Sequence, residues 1–68
     1  MRVDVTLHPS GVVKSVDLPP NARGMDLVRS LGLAPDVHIL VRGETPVPED
    51  EPLRDGERIR VIGVVSGG

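Results

Sequence analysis

Sixty-eight residues carrying a net charge of −2 make one small domain, and a chain near this size buries only about 60% of the surface its unfolded form exposes, which leaves little room for a deep catalytic cleft. The lack of Cys excludes disulfides, thiolate metal ligands and a nucleophilic thiol, and the lack of Phe, Tyr and Trp removes the stacking platforms that hold single-stranded nucleic acid. Without an apolar run of about 18 residues, or a basic-then-apolar leader at Met1, neither a membrane span nor secretion is expected, and the cytoplasm is the expected location.

Met1, Val3, Val5 and Leu7 alternate with Arg2, Asp4 and Thr6, the period-two pattern of a strand with one buried face. His8-Pro9-Ser10-Gly11 is turn chemistry. Val12 to Leu18 is a second β-branched run, so the two form a hairpin with a four-residue loop. Pro19 and Pro20 end the sheet there. Asn21 is placed to cap a helix from Ala22 to Leu31, whose apolar positions Leu27, Val28 and Leu31 share one side, with Gly32 as its stop. Gly24 in the first turn costs up to about 1 kcal/mol against Ala, which predicts a ragged start.

Val37, Ile39 and Val41 alternate with His38, Leu40 and Arg42 in a third strand closed by Gly43. Pro46, Pro48 and Pro52 allow the next stretch at most a short edge strand. Asp55-Gly56 is a turn, and Arg58 to Val65 is the final strand. A hairpin, one helix and two or three further strands give an α+β chain: a β-grasp (ubiquitin-like) domain at residues 1–65. Its mixed sheet has four to five strands, one helix packs on one face, and a flexible tail at 66–68 carries the C-terminal Gly67-Gly68. In this arrangement the first and last strands lie side by side at the sheet centre.

Ser66-Gly67-Gly68 is the feature with most chemical content. Glycine lets another protein's walls close around the main chain, and at a usage of about 7% a terminal glycine pair arises by chance in roughly one chain in 200. The plain alternative is a frayed end. The combination of Leu27-Val28-Arg29-Ser30-Leu31-Gly32-Leu33, Val41-Arg42-Gly43, Leu53-Arg54-Asp55-Gly56-Glu57-Arg58-Ile59 and the terminal Val65-Ser66-Gly67-Gly68 resembles the ubiquitin-like sulfur carriers. That family comprises the thiamine-pathway carrier, the molybdopterin synthase small subunit, and the small archaeal and bacterial modifier proteins.

The resemblance implies that the Gly68 carboxylate is adenylated with ATP by a partner activating enzyme, then converted to a thiocarboxylate or joined to a lysine. The chain has no phosphate-cradling G-x-x-x-x-G-K-S/T loop, so ATP belongs to the partner and no bound cofactor is expected. The protein is then a carrier and substrate, not an enzyme. Its expected partners are the activating enzyme, a sulfur donor, and an acceptor: a synthase, a tRNA-thiolation enzyme or a target-protein lysine. Ser66 and Gly67 let the carboxylate thread the partner's channel. Lys14 is the only lysine, so long self-chains are not expected.

If Ile59, Val61 and Val65 face the core with Val37, Ile39 and Val41, the outer sheet face carries Leu40, Ile62 and Val64 with His38, Arg42, Arg58 and Arg60, an apolar patch rimmed by positive charge that suits a docking partner. His8 and His38 lie on separate elements without metal-ligand spacing, and the acidic stretch from Glu44 to Glu57 reads as a solvated loop. A second class also fits the pattern: a β-grasp binding or regulatory module whose terminal glycines are incidental.

Overall fold

The computed structural model describes residues 1–63. Five strands form one mixed sheet: β1 (Arg2–His8), β2 (Val13–Asp17), β3 (His38–Arg42), β4 (Thr45–Val47) and β5 (Arg58–Gly63), in the spatial order β2-β1-β5-β3-β4. β1 and β5 run parallel at the centre, with Val5 opposite Ile59 and Leu7 opposite Val61. The remaining pairings are antiparallel. This is the ubiquitin-like β-grasp architecture expected from the order of elements.

The β1–β2 hairpin closes as its spacing predicts: Leu7 N–H donates to Val12 O at 2.8 Å and Gly11 N–H to Leu7 O at 2.7 Å, with Gly11 at φ +77°. The short strand β4 occupies the far edge, where the missing N–H of Pro46 has no ladder to interrupt beyond its β3 partner Val41. A 3-10 turn, Pro35–Val37, replaces the start expected for the third strand. The residues 64 and 65 assigned by sequence to the last strand lie outside the described residues.

The single helix, α1 (Gly24–Ser30), is shorter than its apolar spacing suggests. Asn21 does not cap it. Ala22 N–H is taken by Pro19 O at 3.0 Å and Ala22 O accepts from Leu53 N–H at 3.0 Å, so that segment is committed to a turn and to the 48–57 loop before the helix begins. Arg23 is the N-cap, with its N–H donating to the Asp26 carboxylate at 2.8 Å. At the other end Gly32, at φ +72°, sends its N–H to Arg29 O, and Leu33 N–H reaches Val28 O at 3.1 Å, the paired bonds of a Schellman stop.

Gly24 does not loosen the first turn. A Cβ built there would lie 2.9 Å from Leu40 Cδ1 and 2.9 Å from Pro48 O, so the absence of a side chain is what lets the helix start approach β3 and the following loop. Gly24 and Met25 donate their N–H groups to Glu51 O and Glu49 O, filling positions that a helix N-terminus otherwise leaves open. Beneath the helix, Val3, Val5, Leu18, Ala22, Leu27, Val28, Leu40, Val47, Leu53, Ile59 and Val61 form the core. It is aliphatic throughout, each large side chain contributing about 1.5–3 kcal/mol by leaving water.

Candidate functional site

β5 carries the chain from the sheet centre towards its glycine tail. Its alternation is clean: Ile59 and Val61 are 1% exposed and face the helix, while Arg58, Arg60 and Ile62 face the other way. Because β5 lies between β1 and β3, Ile62 and Arg60 each meet two neighbours in register and Arg58 meets one. Ile62 lies between His8 and Ile39, Arg60 between Thr6 and Val41, and Arg58 beside Asp4. The outer face near the end of β5 is therefore a row of Ile39, Ile62 and His8 above two arginines. Ile39 is 47% exposed, an aliphatic side chain in the middle of a sheet with water on it.

This corrects the sequence assignment of the third strand. Leu40 is 4% exposed, belongs to the core cluster and lies opposite Val61, so it is not a surface residue. His38 and Arg42 share its side of the strand and leave the outer face with it. Ile39 and Val41 take their place. Val41 is largely covered yet lies outside the core cluster, as a residue on the outer side flanked by Arg60 and Pro46 would be. Val37, expected inside, is 37% exposed at the end of the 3-10 turn. Of the seven residues proposed for this surface, Ile62, Arg58 and Arg60 are on it, and Val64 lies outside the described residues together with Ser66, Gly67 and Gly68.

Arg42 has another task. Its Nε donates to Glu57 Oε1 at 2.6 Å and its Nη2 to Glu57 Oε2 at 3.2 Å, while Nη1 reaches Glu51 at 3.5 Å. Arg54 N–H donates to the same Glu57 carboxylate. With the Glu57 side chain only 11% exposed, this ion pair clasps the acidic 48–57 loop to the sheet, so part of what reads as a solvated acidic stretch is structural. Burial, the largest single influence on Glu57, pushes its carboxyl upward. The Arg42 and Arg54 hydrogen bonds and charges together outweigh it and hold the group below its ordinary value. The Arg42 guanidinium is raised, chiefly by its hydrogen bond to Glu57.

Two histidines border the last described residue. A Cβ on Gly63 would lie 3.6 Å from His8 O and 3.7 Å from His38 Nε2. His38 Nδ1 is 2.7 Å from Ala34 O; since a carbonyl only accepts, Nδ1 carries the hydrogen and fixes the ring. No group of three or more His, Cys, Asp or Glu side chains among the described residues is arranged to hold a metal ion, and none of their helices is long and apolar enough to cross a membrane. Among the described residues the site therefore consists of the end of β5 beside a mixed apolar and cationic face.

The sequence reading assigns Ile39 to the core face and His8 to the hairpin turn, and places neither on this surface. The signal for Ile39 was the register of β5: once Ile59 and Val61 are inside, Ile62 is outside, and the residue opposite it on the neighbouring strand must join it.

Comparisons agree with this geometry. An uncharacterised protein of Archaeoglobus fulgidus is 36% identical over 56 residues, covering 81% of this chain and 82% of the relative. Among solved structures, SAMP1 from Haloferax volcanii superposes with a TM-score of 0.77 at 17% identity, covering 100% of both chains. The ATBAG1 structure in complex with HSP70 gives 0.81 at 15% identity, with 97% of this chain matching 41% of that one; at these identities both comparisons speak for the fold. Residues 1–65 match the family described as Small archaeal modifier protein 2, and with the sequence relative and the β-grasp fold in accord, the chain belongs to that family of small ubiquitin-like modifiers.

Proposed function

We propose that this chain is a carrier whose Gly68 carboxylate is activated by a partner enzyme. A carboxylate oxygen attacks the α-phosphorus of ATP and pyrophosphate departs, leaving an acyl adenylate on Gly68. A sulfide-equivalent nucleophile or a lysine amine then attacks the Gly68 carbonyl carbon, and AMP leaves with the oxygen. The product is a thiocarboxylate for sulfur transfer in thiamine, molybdopterin or tRNA thiolation chemistry, or an isopeptide bond to a target protein.

The observation that carries this reading is the continuity of the central strand β5 with Val64-Val65-Ser66-Gly67-Gly68 in a chain of the modifier family. The role assigned to this chain is that of substrate and carrier. Ile39, Ile62 and His8, with Arg58 and Arg60 below them, are the face proposed to dock the activating enzyme, because they adjoin the end of β5.

Incubating the full chain with the activating enzyme of its own organism, ATP and hydroxylamine should trap a hydroxamate at Gly68. With a sulfur source instead, intact mass should show one oxygen replaced by sulfur. Deleting Gly68 or extending the chain beyond it should abolish both. The alternative, a binding or regulatory β-grasp module, draws on the fold occupying only 41% of the ATBAG1 chain. It predicts that a C-terminal extension leaves function intact.

A further inference from the structure

Gly11, Gly32, Gly43 and Gly56 sit at positive φ, and Gly24 lacks a side chain because Leu40 and Pro48 leave no space for one. Gly63 has neither reason. Its φ lies outside the left-handed region, and a Cβ added to it would meet His8 O at 3.6 Å and His38 Nε2 at 3.7 Å, which are ordinary van der Waals contacts. It ends the central strand β5, paired with His38 of β3, and glycine weakens a strand because it has no side chain to pack. The fold tolerates a side chain at this position and the chain omits one. A strand glycine of this kind marks a place where another main chain comes close.

By the two-residue period Gly63 shares the helix side of β5 with Ile59 and Val61, and His38 shares that side of β3 with Leu40. The His38 ring is fixed there. Its Nδ1–H donates to Ala34 O at 2.7 Å, which leaves Nε2 of the neutral ring as an acceptor, and Nε2 makes no hydrogen bond among the described residues. A bare main chain and a fixed acceptor thus lie side by side, on the face opposite Ile39 and Ile62. We infer that Gly63 and His38 form a second contact for the activating enzyme, receiving a main-chain segment of that enzyme whose N–H donates to His38 Nε2; the inference rests on the carrier reading above. An enzyme that encloses the chain following β5 has to touch both faces of the strand it leaves. Ile62 provides the outer contact, and Gly63 with His38 the inner one. A side chain at position 63 would hold the partner's main chain away and take its N–H beyond hydrogen-bond reach of Nε2.

The test is the rate of hydroxamate formation by the full chain with the activating enzyme of its own organism, ATP and hydroxylamine, measured against carrier concentration. Gly63→Ala and His38→Leu should each raise KM about tenfold with kcat unchanged, the mark of binding lost equally from ground and transition states. His38→Gln, which keeps a donor for Ala34 O and an acceptor, should keep the wild-type KM. The urea midpoint of Gly63→Ala should equal or exceed that of wild type, since alanine suits a strand at least as well as glycine. A wild-type KM in either Gly63→Ala or His38→Leu, a fall in kcat alone, a His38→Gln KM as high as that of His38→Leu, or a lowered midpoint for Gly63→Ala overturns the inner contact and leaves the carrier reading standing. Absence of hydroxamate from wild type overturns the carrier reading and this contact with it.

Discussion

On the helix side of the β3–β5 pair, Leu40 lies opposite Val61 with both side chains out of water, whereas on the other side Ile39 lies opposite Ile62 and is nearly half exposed. The four residues have similar chemistry and occupy adjacent positions of the same two strands. What separates them is what lies over each face: a helix whose Gly24 lets it settle onto Leu40, and nothing among the described residues. One face therefore contributes to stability, and the other is available for a partner.

The largest test of that difference is Leu40→Asp, which places a carboxylate in an aliphatic core and should leave no folded protein by circular dichroism at room temperature. Leu40→Ala should cost about 2–5 kcal/mol, read from urea unfolding. Gly24→Ala should also destabilise, by about 1–3 kcal/mol of overpacking against Pro48 O, more than the roughly 1 kcal/mol that Ala returns in helix propensity. A more stable Gly24→Ala protein would mean that the approach of helix to sheet is not close-packed.

Glu57→Gln should cost about 1.5–3 kcal/mol at about pH 7, the scale of a charge-assisted hydrogen bond. Because the folded-state carboxyl is held below its ordinary value of 4.5, its contribution is present above that pH and lost as pH falls through the folded-state value. The stability gap between wild type and Glu57→Gln should therefore narrow on acidification below about pH 4. The Arg42 guanidinium, already charged far above neutrality, is raised further by Glu57, so it adds no pH dependence near neutrality. A gap that is flat with pH would show that the clasp is not electrostatic.

Smallest in stability, and most informative about function, are Ile39→Asp and Ile62→Asp. Each should shift stability by about 1 kcal/mol or less, as substitutions on a partly exposed sheet face do, yet abolish hydroxamate formation with the activating enzyme. Adenylation at the wild-type rate in both would remove this face as the docking surface.

Several features were legible in the residues alone. The alternation in β1 and β5, the four-residue hairpin loop, the Gly32 stop and the order of elements each rest on local rules, so the fold could be read before any contact was known. The phase of β3 could not. Ile39-Leu40-Val41 is apolar on both faces, and the polar residues on either side, His38 and Arg42, share the side of Leu40 by the two-residue period and find polar partners at the strand ends: His38 turns to Ala34 O and Arg42 reaches Glu57. Their polarity suggested an outer face where there was an ion pair. The helix start was misjudged for a related reason, since Asn21 has good capping chemistry but the adjoining Ala22 is engaged by Pro19 and Leu53.

By itself, then, the sequence determined the β-grasp order of elements and an aliphatic core, because periodicity and turn residues are local properties. Tertiary structure decided which side of β3 meets water, why Gly24 must lack a side chain, and that Arg42 clasps Glu57. Each of those depends on what another segment places across the gap, and a two-sided apolar strand has no phase until a helix covers one of its faces.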